Sequence, residues 1–319
     1  MDIELTKKDG TVIKLSEYGF IVNDIVIDSM QINTKYQDKE NMNGRILMGS
    51  NYISRDIVVP CFCKVKNRSD IAYMRDMLYR LTTDIEPMYL REIRRKEELN
   101  YRFTQPTSDD YVKLDKNNFP DYEYSRHDQQ IYVNGKQYKV IFNGVINPKQ
   151  KGNKVSFELK FETTELPYGE SIGTSLELEE NKKVGLWSFD FNIDWHAGGD
   201  KRKYTFENLS KGTVYYHGSA PNDQFNMYKK ITIILGEDTE SFVWNLTHAE
   251  IMKIEGIKLK AGDKIVYDSF RVYKNGVEIS TETNIAQPKF KYGANKFEFN
   301  QTVQKVQFDL KFYYKKVSE

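Results

Sequence analysis

A single amphipathic helix, set among segments patterned for strands, constrains this chain more than any other feature. From Ser69 to about Thr82, the residues Ile71, Met74, Leu78 and Leu81 recur at steps of three and four, which makes one apolar stripe. Arg75, Asp76 and Arg80 fall off that stripe. Ser69 is placed to cap the first turn through its side-chain oxygen, and Asp70 puts negative charge at the positive end of the dipole. Glu86-Pro87 ends the helix. Around it, Arg55 to Val65 and Met88 to Ile93 read as strands, and Gly44-Arg45 as a polar turn. A basic tip at Arg94-Arg95-Lys96 leads into a return strand, Leu99 to Phe103. The stripe needs a sheet face to cover, and the flanking strands are the nearest candidates.

Strands are expected to dominate the rest. The chain has 22 Tyr and 18 Phe, and its aromatic fraction is 13%. Aromatic and β-branched side chains suit pleated surfaces. A length of 319 residues gives room for two domains. Lys and Arg number 47 against 46 Asp and Glu. That balance argues against a binder of phosphate backbones, which needs a net basic face. No apolar run reaches membrane-spanning length, and Met1 to Gly10 lacks a secretory core, so synthesis and folding in a cytoplasm are expected. Cys61 and Cys63 are two apart, point the same way on a strand, and read as small apolar residues of one face.

In chain order, Asp9-Gly10 joins two short strands, Ile3 to Leu5 and Thr11 to Leu15. Gly19 to Asp28 reads as short strands about a turn at Asn23-Asp24, Met30 to Tyr36 alternates, and Gln37 to Asn43 is a polar loop. Pro60 lacks an N–H, which places its strand at an edge or at a bulge. Thr104 to Gln129 is polar and aperiodic and reads as an inserted arm or a plain loop. Ile131 to Val133, Asn134-Gly135 and Lys136 to Phe142 read as a type I′ hairpin. Val155 to Thr163 alternates, and the first domain closes near Leu166-Pro167-Tyr168-Gly169. Beyond it, Trp187 to His196 alternates with a heavy apolar face. Short strands follow at Tyr204–Leu209, Val214–His217, Lys229–Leu235 and Ser241–Trp244, with a second I′ hairpin about Asn275-Gly276. Phe297 to Phe299 and Val303 to Tyr314 close the pattern of a β-sandwich.

The sequence offers little chemistry. Motifs for nucleophile elbows, zinc proteases and phosphate loops are missing. Asp190-x-Asn192-x-Asp194 begins like a calcium loop but has Trp195 where a Gly is wanted and Lys201 where a Glu is wanted. No catalytic residue, cofactor or metal ligand is assigned. Trp187, Trp195 and Trp244 are candidate sugar platforms, but Trp187 and Trp195 share the phase of Phe189, Phe191 and Ile193, which reads as core, while Trp244 is expected to be exposed. Arg91, Arg94, Arg95 and Lys96 form the sharpest charge cluster, with Tyr89 and Tyr101 nearby and Glu92, Glu97 and Glu98 interrupting it. Mixed charge on a projecting hairpin suits a protein–protein rim, so Tyr89, Arg91, Arg94 and Arg95 are the candidate interface residues.

The order of these features resembles the distal tail proteins of long, non-contractile-tailed phages of Gram-positive bacteria, and is most similar to staphylococcal examples. The resemblance runs through Gly19-Phe20, Gly44-Arg45, the Arg55–Val65 strand, the helix, Glu86-Pro87-Met88-Tyr89, Asn134-Gly135-Lys136 and Leu166-Pro167-Tyr168. It continues in Phe206-Glu207-Asn208, Gly262-Asp263, Asn275-Gly276 and Tyr292-Gly293-Ala294-Asn295. It implies a mainly β chain. Residues 1–170 would be a ring-forming belt domain, a split β-barrel with one packed helix and an arm at about 104–129. Residues 171–319 would be a galectin-like β-sandwich. It further implies a homo-hexameric ring at the virion tail tip, with no enzymatic activity. That ring joins the tail tube protein to the tail-associated protein and carries the receptor-binding apparatus. The galectin sugar motif is absent. The competing reading is a carbohydrate-binding protein of the cell wall.

Overall fold

The computed structural model describes residues 1–40, 43–93, 135–180 and 200–315. The tip at Arg94-Arg95-Lys96, the Leu99–Phe103 strand, the 104–129 arm, Ile131–Asn134 of the first I′ hairpin and the Trp187–His196 strand lie outside these residues.

The first half runs β1 (Asp2–Thr6), β2 (Val12–Lys14), β3 (Phe20–Val22), β4 (Val26–Ile27), β5 (Ile32–Gln37), β6 (Ile46–Tyr52) and β7 (Asp56–Lys64). After α1 (Asp70–Thr82) come β8 (Met88–Ile93), β9 (Lys136–Phe142), β10 (Lys149–Lys151), β11 (Lys154–Thr163) and β12 (Gly169–Ser171). The main sheet has the order β2-β1-β8-β9-β11-β7-β3, with every pair antiparallel. Its inner face is the alternating set Ile3, Leu5, Ile57, Val59, Leu90, Val140, Leu159 and Phe161, all at most 1% exposed. Leu78 and Leu81 of α1 join this core, with Ile71 and Met74 packed against its margin. Each fully buried leucine contributes about 1.5–3 kcal/mol. The predicted stripe is thus the face the helix buries.

One detail differs from expectation. Ser69 does not cap α1. It sits in helical conformation (φ −60°, ψ −28°), and its hydroxyl donates to Asp70 at 3.3 Å. Asn67 and Arg68 use their backbone carbonyls instead, accepting from Asp70 N at 3.1 Å and Ile71 N at 3.3 Å, so a tight turn supplies the partners. Of the two placements open to Pro60, an edge or a bulge, the structure shows the second. β7 is interior, with β11 on one side and β3 and β4 end to end on the other. The Pro60 carbonyl accepts from Asn23 N at 2.9 Å, where the chain bulges between β3 and β4. An antiparallel residue points its N–H and C=O to the same side, so the missing N–H faces that interruption and costs no ladder bond.

The second half contains α2 (Ser175–Glu179), β13 (Thr205–Tyr216), β14 (Lys229–Leu235), β15 (Thr239–Leu246), β16 (Met252–Leu259) and β17 (Lys264–Asp268). It continues with β18 (Arg271–Lys274), β19 (Val277–Glu278), β20 (Gly293–Leu310) and β21 (Tyr313–Tyr314). The 18-residue β20 is the spine. β13 follows one side of it. On the other side β14 takes the C-terminal part and β15 the N-terminal part, so the sheet forks into two branches. Aromatic rings fill the fork: Trp244 meets Tyr267 edge-on at 5.3 Å, and Phe297 lies 5.0 Å from Phe308. The Asn275-Gly276 hairpin forms as expected, with φ +50° and +87° at the turn and Tyr273 opposite Glu278.

The expected Val303–Tyr314 strand is in fact two. β20 ends at Leu310, and β21 leaves the second sheet to join the first. There β12 pairs with β21 on one side and β9 on the other. Ser171 N donates to the Phe312 carbonyl at 2.8 Å, and Phe312 N donates back to Ser171 Oγ at 3.0 Å.

Candidate assembly surface

One element stands apart from both cores. β5 and β6 form a two-stranded sheet of their own, from Ile32 opposite Tyr52 to Gln37 opposite Ile46. The sequence marks β5 but not β6, because Ile46-Leu47-Met48-Gly49-Ser50 has neither alternation nor a polar face. An isolated two-stranded ribbon is marginal in water, and its free edges are templates for further pairing. This one also bares its apolar side chains: Ile32 is 59% exposed, Tyr36 55%, Leu47 61% and Met48 60%.

The ribbon is rooted firmly. Gln31 N donates to the Ser54 carbonyl at 2.8 Å, and Ile53 N to the Gln31 carbonyl at 2.9 Å. Tyr52 meets Tyr168 edge-on at 6.4 Å, and the Lys315 ammonium sits 5.8 Å from the Tyr52 ring. Met30 packs on a small cluster of Tyr168, Ala220, Met227 and Tyr313, which draws on both halves of the chain. The base is therefore fixed while the outer strands remain uncovered.

Two of the four predicted interface residues, Tyr89 and Arg91, fall among the described residues. Tyr89 and Arg91 alternate on β8, away from the core that takes Met88 and Leu90. Arg91 is only 7% exposed and lies 3.6 Å from the Glu4 carboxylate. Tyr89 is half-buried. Burial, then the charges of Glu170 and Glu165, push its phenol up to about 12, and the Lys311 ammonium lies 5.7 Å from its ring. Both residues lie on a sheet face held by an ion pair and a cation–ring contact. Arg94 and Arg95 lie outside the described residues.

Reactive side chains are shut inside. Burial raises the Cys61 thiol to about 12, and Cys63 beside it is also fully buried. His217 is buried as well, with its Nε2 at 3.0 Å from the Lys201 carbonyl. Among the described residues, no group of three His, Cys, Asp or Glu is placed to hold a metal. Trp244, expected to be exposed, is instead 1% exposed in the second core. It offers no platform to a sugar. Its strand alternates Phe242, Trp244 and Leu246 inward, so it shares the phase of the core.

Residues 8–163 match the family described as phage tail protein RIFT-related domain. The matched segment spans β2 through β11, and so includes both the ribbon and the helix. Across both halves, the fold is similar to the crystal structure of the phage SPP1 Dit protein, described as a paradigm of the hub adsorption apparatus of phages infecting Gram-positive bacteria. That likeness covers 97% of this chain and 99% of SPP1 Dit, at a TM-score of 0.59 and 11% identity. A chain of the phage P2 baseplate in its activated conformation with calcium aligns over 98% of this chain and 97% of its own length. Its TM-score is 0.35 and its identity 8%. No curated protein matches the chain.

Proposed function

We propose that this chain is a structural subunit of a phage tail tip, a hub whose identical copies close into a hexameric ring. In this reading the ring joins the tail tube protein to the tail-associated protein below it and anchors the receptor-binding apparatus. Residues 1–170 form the ring-building half, and residues 171–319 the sandwich half. The protein is made in the host bacterial cytoplasm, resides at the tail tip of the virion, and catalyses nothing. The tail-protein domain at residues 8–163 and the likeness of fold to SPP1 Dit support the reading.

The observation that carries it is the uncovered β5–β6 ribbon. Ring closure is a heterologous contact, in which one patch meets a different patch on the next copy. A rooted ribbon with exposed Ile32, Tyr36, Leu47 and Met48 supplies such a patch, since burying those side chains against a neighbour removes apolar area from water. Tyr89, Arg91, Arg94 and Arg95 form a second contact with the neighbour in this reading, the first two being held in place by Lys311 and Glu4.

Native mass spectrometry and negative-stain imaging of the purified protein test this. The expected outcome is rings of six for the natural chain, and folded single copies for the double variant Leu47→Glu, Met48→Glu. Natural protein that stays single, both alone and mixed with tail tubes, overturns the reading.

A further inference from the structure

The outer face of the first sheet carries two rows of like charge, one at each end of the same strands. At one end Lys64 of β7 lies opposite Lys154 of β11, and Lys154 lies opposite Lys151 of β10. At the other end Asp56 of β7 lies opposite Glu162 of β11. Asp28, just past β4, donates its N–H to the Asp56 carbonyl at 3.0 Å, which adds a third acid to that row. The residues between alternate into the core, with Ile57, Val59, Cys61 and Cys63 from β7 and Val155, Phe157, Leu159 and Phe161 from β11, so both rows point outward.

The fold of one copy does not account for these rows. Like charges directly opposite on neighbouring strands destabilise a sheet. Lysine on an edge strand guards against stray pairing, which would explain Lys151 of β10. It does not explain Lys64 and Lys154, because β7 and β11 are interior. Nor can the rows offset one another. They lie at opposite ends of the nine-residue β7, about 27 Å apart at the rise of a strand, which is about three Debye lengths at physiological salt. Lys160, between the rows on the same face, is already paired with Glu158 at 3.2 Å. Among the described residues, no opposite charge pairs with either row; the Lys154 ammonium lies 3.8 Å from the Phe62 ring.

We infer that the lysine row of one copy receives the acidic row of the next. The inference rests on the ring reading above, and it names the second of the two different patches that a heterologous contact requires. The acidic row is continuous with the first patch, because the β5–β6 ribbon leaves the sheet just after Asp28 and returns to it at Asp56. The two rows match charge for charge: three acids in line across adjacent strands against three ammonium groups in line, each with steps of about 5 Å. Beside the lysine row, Ile21 of β3 lies opposite Phe62 and is 50% exposed, so the same contact has apolar area to cover. A polyanion would neutralise the lysines alone and leave the acidic row unrelieved, whereas a second copy relieves both.

Two charge-reversed chains test this by native mass spectrometry: Lys64→Glu with Lys154→Glu, and Asp56→Lys with Glu162→Lys. All four side chains point off the core, and circular dichroism checks that each variant folds as the natural chain does. Each variant alone is expected to assemble at least about tenfold more weakly than the natural chain. An equimolar mixture is expected to regain the natural assembly, with both chains in equal number. Should a reversed chain not fold, Lys64→Gln with Lys154→Gln takes its place, with the same weakening expected. Three results overturn the inference and leave the ring reading standing: natural rings from either folded variant alone, a mixture that stays single, or duplex DNA held by the natural chain and released by the lysine variant with rings unchanged. Natural chain that stays single instead overturns the ring reading itself, and this inference with it.

Discussion

The Lys311 ammonium lies 2.6 Å from the Glu170 carboxylate. Lys311 follows the last strand of the second sheet, and Glu170 sits in β12 of the first, so this pair ties the two halves together. Glu170 also accepts from Gln137 Nε2 at 2.9 Å, which fixes its orientation.

Replacing Lys311 by methionine keeps the stem and removes the charge. With both side chains at most one-fifth exposed, the loss should be about 1–3 kcal/mol, as for hydrogen bonds to charged groups. Urea unfolding checks it. Glu170→Gln should cost a similar amount, and the double variant less than the sum. An unmoved midpoint in Lys311→Met refutes the tie.

Stability should also depend on His217. Burial holds its imidazole down to about 4, against 6.5 for the free side chain. A carbonyl accepts, so Nε2 carries the proton, and the folded protein keeps the ring neutral. The stabilisation is present in full above pH 6.5. It falls as pH drops through the window from 6.5 to about 4, because the unfolded chain takes up a proton that the folded one refuses. The loss amounts to about 3 kcal/mol at most. Denaturation of the natural chain at pH 7, 5.5 and 4 should show this slope, and His217→Phe should flatten it. Equal slopes would assign the effect elsewhere.

Gly236 directly follows β14, next to the point where the pairing with β20 shifts register. A Cβ there would run into the backbone carbonyl of Thr302, and backbone yields less readily than a side chain. Gly236→Ala should therefore destabilise the second half by about 1–3 kcal/mol. A thermal melt of the variant that coincides with that of the natural chain contradicts this.

The residues told some parts of this fold plainly and hid others for physical reasons. The stripe Ile71, Met74, Leu78 and Leu81 reveals α1, and Asn275-Gly276 reveals its hairpin, because helical period and positive φ leave local marks. β6 was illegible because its side chains face no core of this chain, so nothing imposes alternation on Ile46 to Tyr52. β20 read as two strands because Asn300, Gln301 and Thr302 interrupt the apolar series where the strand crosses from one branch to the other. Trp244 misled for the opposite reason: a large aromatic looks like a platform until its phase with Phe242 and Leu246 is taken into account.

The pairing of β12 with β21 has a consequence for how copies are made. A ribosome delivers β12 early and β21 only after every strand of the second sheet has emerged. Until then the first sheet lacks one of its ladders, and the β12 edge stays open to solvent. Closing that gap spans roughly 140 residues, and its loop-closure entropy is met only when both strands are present. Interrupted translation therefore yields a first half without its latch, and a subunit reaches its finished form only when synthesis has passed Tyr314.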